Sequence, residues 1–599
     1  MADKIDANLV GFAIAEEASA KVLSATPVFY TREPNSFDDF GGNYSMTARR
    51  PFSPSRQNKK GVITDLDADG GFNEDVTMGN MQWPLQGFFF ANLRKTAEQV
   101  AWGAAFSQAF TAAASDVVTI AAHGLTTGDG PFNVASTTTL PAGLAAATDY
   151  WVAVINANTF YLCATRANAV ASTPVPVNIT DAGTGTHTMS RPSYAVASTD
   201  DFVMNNPANV VVGSLVLGSG FTNAANNALH VVNGVTGGHV STSSALADEA
   251  VPPAAAKLKL VGYQFDNGSV DVTVAAGVMR LTRASGTDDY TTLGLIEGQW
   301  VFIGGDATAN KFVNNLPGYA RIANGGIAAA SITFDKTTFT PQAETGTGLD
   351  IRMFFGDMLR NEDDPDLILT RYYRTQRSLG RDANGVQSEN LEGAVANEMT
   401  WNSPLPGADA KVTVDLSYVA MTNTRRTGTQ GLLSSQVGAT LVAALGEDAI
   451  NTAKNVYRLR MSIVDPATLN PTALFAKVTE FTISVNNNVS PAKAQGVLGA
   501  FDMNVGRFEV SGDLTAYFST VEAIGAIEDN DDVTFDAIYS RDNKAIVYDL
   551  PLIALGGGRL EVEQDAAIMV PLESNAAESP FGFTAALHFM PYVPNAGVA

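Results

Sequence analysis

Residues 481–518 read FTISVNNNVSPAKAQGVLGAFDMNVGRFEVSGDLTAYF. In two runs, 481–485 and 507–518, apolar and polar residues alternate at period two. That is the pattern of a strand with one face buried and the other wetted. The connection between the runs is punctuated by Asn, Gly and Pro. It carries no nucleophile–base pair, no metal-ligand cluster and no phosphate loop. A regular sheet with a long mobile arm suits a protein that assembles with itself, and the stretch predicts a mainly β chain.

Composition agrees. A chain of 599 residues is long enough for three to five domains. At 45% hydrophobic and 16% charged it has ample material for cores, while Gly 53 and Pro 26 favour short strands and turns over long helices. No apolar run approaches the roughly 18 residues of a transmembrane helix. The first twenty residues, MADKIDANLVGFAIAEEASA, are acidic where a secretory leader is basic, so the chain is expected to be soluble and made inside the cell. One cysteine, Cys163, excludes an intramolecular disulfide framework, and five scattered histidines make no dedicated metal site. A net charge of −24 argues against binding nucleic acid through its phosphates. It is compatible with a surface that DNA passes without sticking, and equally with plain solubility.

The pattern divides the chain into five stretches. Residues 1–110 are loop-rich, with a basic island at 49–56, an acidic run at 65–69 and a helix expected from Asn80 to Trp102. Pro84 there suits a first turn, and Leu85, Phe88, Phe89 and Leu93 share a face. Residues 111–195 form a small β module with strands near 116–120, 150–154 and 159–163. Residues 196–340 hold further β units, and 341–455 carry strands at 367–376 and 411–421 before a Gly/Ala/Ser-rich segment. Residues 456–599 form the last module, with a short helix expected over 520–529. A weak internal echo joins 391–397 and 411–417 to 495–502 and 508–515. In both copies a Gly-containing turn leads into a strand ending in Asp-Leu and a hydroxyl residue.

The sharpest chemical motif is Asp65-Leu-Asp67-Ala-Asp69-Gly70. Its alternating carboxylates and closing glycine match the start of a calcium loop, but Val76 stands where the bidentate Glu belongs. A solvated acidic turn is the default reading, with Asp65, Asp67 and Asp69 as calcium candidates. The glycines at 304–305 and 556–558 lack the Lys-Ser/Thr ending of a phosphate loop and read as hairpin turns. Cys163 lies in a strand-like run, where a buried small apolar group is expected rather than a nucleophile. His123 and His187 flank the small module and are expected to cap turns. No catalytic residue and no cofactor is assigned.

The phrases FTISVNNNVS (481–490), GRFEV (506–510), GDLTAYF (512–518), LGGGR (555–559) and AAES (576–579), with a second group from Arg56 to Ala91, resemble the tail tube (major tail) proteins of long-tailed bacteriophages. The resemblance covers about half of the chain and implies β-sandwich tube domains with a flanking short helix and a long hairpin. Two such domains are expected, 1–110 with 341–455 and then 456–599, with 111–195 and 196–340 as inserted β modules. It implies a non-enzymatic virion protein, made in the bacterial host cytoplasm, whose rings stack into an acidic conduit for DNA. Three chains or six would close a ring. Tail tip and terminator proteins, and a tape measure protein in the lumen, would be its partners, with no membrane and no sequence-specific DNA binding. The resemblance gives assembly roles to Phe481, Asn486, Asn487, Asn488, Arg507, Phe508 and Tyr517, and stacking contacts to the arm 487–505. Outward modules imply a non-contractile tail. A tail fibre would show fibrous repeats, and a carbohydrate-active enzyme a leader and aromatic-rich faces; the sequence has neither.

Overall fold

The computed structural model describes residues 10–50, 52, 54, 57–100, 106–191, 196–198, 201–203, 209–236, 239–247, 249, 253–315, 317–382, 385–464, 472–475, 477–518, 521–562, 564–565 and 567–599. The chain is mainly β with three short α-helices among the described residues. It forms two compact units, one of residues 1–94, 357–589 and 597–599, the other of 95–356 and 590–596.

In the first unit the strands are β1 (Gly11–Glu16), β2 (Val28–Arg32), β3 (Pro34–Arg49) and β4 (Lys59–Asp75), followed by the helical turn α1 (Leu85–Phe88). After the second unit come β5 (Tyr373–Asp382), β6 (Gly385–Ser403), β7 (Thr413–Ala420) and β8 (Thr422–Thr427). Then follow β9 (Val456–Ile463), β10 (Thr472–Ala473), β11 (Val478–Asn486), β12 (Glu509–Tyr517), α2 (Glu522–Glu528), β13 (Val533–Arg541), β14 (Lys544–Gly557), β15 (Met569–Ala576) and β16 (Ala586–Met590).

The pairing of these strands runs through one order twice. β1 pairs with β2 and β5, β5 with β6, β6 with β7 and β8, β7 with β4, and β4 with β3. Likewise β9 pairs with β10 and β13, β13 with β14, β14 with β15 and β16, β15 with β12, and β12 with β11. A helix follows β4 in the first repeat and β12 in the second. The repeats are fused by an antiparallel ladder between β6 and β11, in which Trp401 faces Ile483. The result is one antiparallel sheet, β3-β4-β7-β6-β11-β12-β15-β14.

Period-two alternation puts one face of this sheet into the core. Phe37, Phe72 and Leu416 lie in register across the first repeat, as Phe481, Leu514 and Leu572 do across the second. Val414 and Val570 occupy matching places on β7 and β15, and both are buried. The strands curl over this core. The Trp401 ring lies 6.1 Å from Tyr539 and 5.6 Å from Tyr548, and Phe481 meets Phe535 edge-on at 5.0 Å. The sequence echo is therefore not the structural repeat: β7 corresponds to β15, and β12 corresponds to β4. Residues 391–397, read as a turn, lie inside β6, because Leu391 and Ala394 are needed in the core.

The helix expected over Asn80–Trp102 shrinks to α1, with Trp102 outside the described residues. Phe90 takes a left-handed φ of 50°, which ends the turn and drives its ring into a satellite cluster with Val395 and Met421. Gly87 has no room for a side chain, since a Cβ there would lie 2.5 Å from the Tyr373 hydroxyl. The helix expected over 520–529 is present as α2. The connection 487–506 is not a free arm. It folds into a hairpin of Ser490–Ala492 with Asp502–Asn504, pinned by buried Val489, Ala500 and Met503. Residues 556–558 make no hairpin turn; they end β14, with Gly557 and Gly558 left-handed at φ 79° and 82°.

In the second unit, a six-stranded sheet over 106–191 has its own core around Phe110, Phe132, Phe160 and Met189. His123 and His187 serve its turns. His123 Nδ1 accepts from the Leu125 amide at 3.0 Å, and the His187 ring contacts Ser136 Oγ and the Ala182 carbonyl at 3.0 and 2.9 Å. Cys163 is fully buried, and burial pushes its thiol up to about 11, which leaves it unreactive. A larger sheet over 196–356 packs a separate core that includes Phe265, Tyr290 and Met353.

Trp401 sits where β6 meets the curl of the second repeat. Trp401→Ala is expected to lower the stability of the first unit by about 3–5 kcal/mol, read as an earlier urea unfolding transition of the full chain.

Candidate functional site

The opposite face of the eight-stranded sheet is built from the alternate residues of the same strands. β4 contributes Asn73 and Asp75, β7 Asp415 and Ser417, and β6 Glu398, Thr400 and Asn402. β11 adds Glu480, Thr482 and Ser484, β12 Glu509, Ser511 and Asp513, and β15 Glu573 and Asn575. None of these side chains is apolar, and all are partly or fully exposed.

Side-chain hydrogen bonds run across the strands. Asn35 Nδ2 donates to Asn73 Oδ1 at 3.0 Å, and Asn73 Nδ2 to Asp415 Oδ1 at 2.8 Å. Asn402 Nδ2 donates to the other Asp415 oxygen at 2.7 Å, and Thr400 and Ser484 hydroxyls meet at 3.0 Å across the fusion of the repeats. Asp415 thus receives an amide from each neighbouring strand, and the ladder fixes the polar face much as the core fixes the other. Among the described residues, the cation bonded into this row is Lys411, whose Nζ lies 2.7 Å from Asp75. The face is an extended acidic wall with no convergent catalytic geometry.

Before residue 68, β4 has no β7 beside it, and among the described residues 59–67 pair with β3 alone as a two-stranded ribbon. Met46, Val62 and Ile63 on it are 68%, 58% and 58% exposed. An isolated two-stranded ribbon is marginal in water, and an apolar one marks a surface that another chain covers.

The acidic run 65–69 lies on β4 and not in a loop, so its carboxylates alternate along an extended strand. Lys493 Nζ bridges Asp65 and Asp67 at 2.5 and 2.6 Å. That bond holds the Asp65 carboxyl below its ordinary range. Asp69 is raised instead, by burial first and then by the carboxylates of Asp39, Asp67 and Asp38. No group of three metal-ligating side chains is brought together among the described residues.

The assembly residues divide. Phe481 is buried, and so is Asn487, whose Nδ2 donates to the Phe88 carbonyl at 3.0 Å. Both are held within the chain's own fold. Phe508 is half-buried against Phe89 at 5.7 Å. Asn486 accepts from the Asn488 amide, and Asn488 donates to the Arg507 carbonyl, so these three shape the connection. Arg507 and Tyr517 are exposed. Sequence reasoning missed the polar face as a surface, although the period-two pattern on β7 and β12 contains it.

A curled β sheet with one acidic face and an uncovered ribbon is the geometry of a chain with surfaces for other copies or partners. Residues 7–585 match the family described as phage tail tube protein, and the chain belongs to that family. It is a structural protein of the bacteriophage virion, located in the tail and acting as part of an oligomeric assembly. No curated protein matches the chain. Among the described residues no helix is long and apolar enough to cross a membrane.

Lys493→Ala removes an exposed bridge. It is expected to change stability by less than about 1 kcal/mol, measured by urea unfolding, because a surface ion pair gains little over its two solvated partners.

Proposed function

We propose that this chain polymerises as stacked rings into the phage tail tube and that the acidic sheet face lines the channel through which DNA leaves. The observation that carries this reading is the sheet itself: the same four-strand order twice, one face core and the other carrying the row of acidic, amide and hydroxyl side chains. Each repeat is one tube domain, so three chains supply six domains to a ring. An acidic lining repels the phosphate backbone, and DNA slides over a surface offering it no clustered Lys or Arg.

The exposed tip of the hairpin connection after β11, with Val497, Leu498 and Phe501 at 44%, 51% and 53% exposure, serves contact between rings. Tail tip and terminator proteins bound the tube, and a tape measure protein fills it before ejection. The bulk of the second unit needs room that a close-fitting sheath denies, so the tail is non-contractile. The protein is made in the cytoplasm of the bacterial host and acts without catalysis.

Negative-stain electron microscopy of concentrated, untagged protein tests this reading. Hollow tubes or stacked rings with threefold symmetry are expected. Sixfold rings would replace three chains by six, and slender rods would overturn the tube. In virions, Asp513→Lys with Glu573→Lys is expected to leave tubes intact and slow genome release several-fold, with the effect shrinking at high salt. Fluorescent-dye uptake by the emerging DNA measures it.

A further inference from the structure

The fused repeats contain a template for the contact between chains. In the first repeat, β6 uses one edge for β7 and β8, which follow each other in one register, and the other for β5 and then β11. In the second repeat, β14 pairs with β13 on one edge and β15 on the other, Ile553 facing Val533 and Ala576 at once, and β13 ends there, so residues beyond Ile553 keep only β15 among the described residues. No strand takes the place that β11 holds on β6, so this edge of the segment 556–561 is unpaired among the described residues. At the far end of the sheet, β3 pairs with β4, and its own outer edge is unpaired among the described residues. β3 is the counterpart of β11. Unpaired edges of this kind are templates for another strand.

We propose that segment 556–561 of one chain adds to β3 of a second copy of this chain at residues 37–42, repeating the pairing of β6 with β11, with Arg559 set beside Asp39. This rests on the ring reading above and names the edges that close the ring.

Three observations carry it. The first is polarity: the eight strands alternate in direction, so the pairing of β14 with β3 of the next copy is antiparallel, as β6 with β11 is. The second is register. Leu416, opposite Met399, corresponds to Leu572, opposite Gly557, and Met399 faces Val485 across the fusion. Val485 faces Val510, whose counterpart on β4 is Ala68, opposite Gly42. Gly557 therefore falls opposite Gly42. Each edge then carries one extra residue. β3 bulges at Asp39 and Phe40, where Asp38 faces Gly71 and Gly41 faces Asp69. The opposite edge bulges between Gly557, which faces Leu572, and Glu561, which bridges to Met569. The bulges meet, and Arg559 and Leu560 face Asp39 and Phe40.

The third is sidedness and charge. Phe40 is buried and Leu560 packs on the core, so both point to the apolar side. Asp39 and Arg559 are exposed, and neither has an ion-pair partner among the described residues. Asp39 stands beside Asp38, and its field reaches Asp69 together with that of Asp67. Lys493 already bridges Asp67, but Asp39 keeps its charge unbonded among the described residues, and Arg559 supplies a cation on the matching side of the opposite edge.

The test uses the full chain with Asp39→Cys and Arg559→Cys together, and each alone as a control. Cys163 is buried and adds no background. A short bismaleimide is applied to concentrated protein, and the sample is divided between denaturing gels and electron microscopy. The double variant is expected to give a ladder ending at a closed species of three chains, and a mixture of the two single variants only linked pairs. In the non-cysteine background, Arg559→Asp is expected to abolish rings and Arg559→Asp with Asp39→Arg to restore them. Rings or tubes that form without cross-links, or a charge swap that fails to restore what the single reversal lost, overturn the edge pairing while the tube reading stands. Absence of rings from every variant and from the parent chain, even with purified tail tips added, overturns the tube reading and this inference with it.

Discussion

The hydrogen-bonded ladder between β6 and β11 is the constraint on which the first unit depends. β6 runs for the full length of two neighbourhoods, Gly385–Ser403, and its second half belongs to both repeats at once. Through it, the core rows of one repeat continue into the other, and the Trp401 ring set on the first repeat packs against tyrosines of the second. A sheet joined this way has a single sense of curl, a core on one side and water on the other. Every polar side chain of the outer face follows from that choice, because a one-residue slip in any ladder exchanges the faces.

Much of this was legible in the sequence. The alternation at 481–485 and 507–518 marks β11 and β12, and the short helix after them is where its residues place it. The β character of the chain follows from composition alone. The repeat itself was not legible, because what is repeated is pairing order and not words. Val414, Leu416 and Ala420 on β7 match Val570, Leu572 and Ala576 on β15, yet the residues between them differ, and even the buried pair is Tyr418 in one repeat and Ser574 in the other. The Asp-Leu echo drew attention to β7 and β12, which carry similar residues at different places in the order. Strand pairing between residues hundreds of positions apart leaves no local mark.

Tertiary context also overrode local pattern. The run at 80–102 has the apolar spacing of a helix, but Gly87 lies beneath the Tyr373 ring and Phe90 is bent into a second cluster, so one turn is all that fits. The acidic run at 65–69 has the spacing of a cation loop, but the same spacing on a strand puts every carboxylate on one side. Period two serves both purposes, and only the neighbours decide between them. The buried Phe481 and Asn487 show the same limit, since the sequence marks them as special without saying whether they face inward or out.

The second unit is inserted after α1, where the second repeat has only the residues 529–532 between α2 and β13. Arg94 and Met358 exchange backbone hydrogen bonds at 2.8 and 3.0 Å, so the two ends of the insertion are held side by side and the first repeat closes as if nothing had been added. One repeat in every chain therefore carries the extra modules and the other never does. Because both lie on a single polypeptide, translation itself sets the ratio of decorated to bare repeats at one to one. No second gene, no balance of expression and no sorting step is needed to keep that ratio constant in any assembly the chain enters.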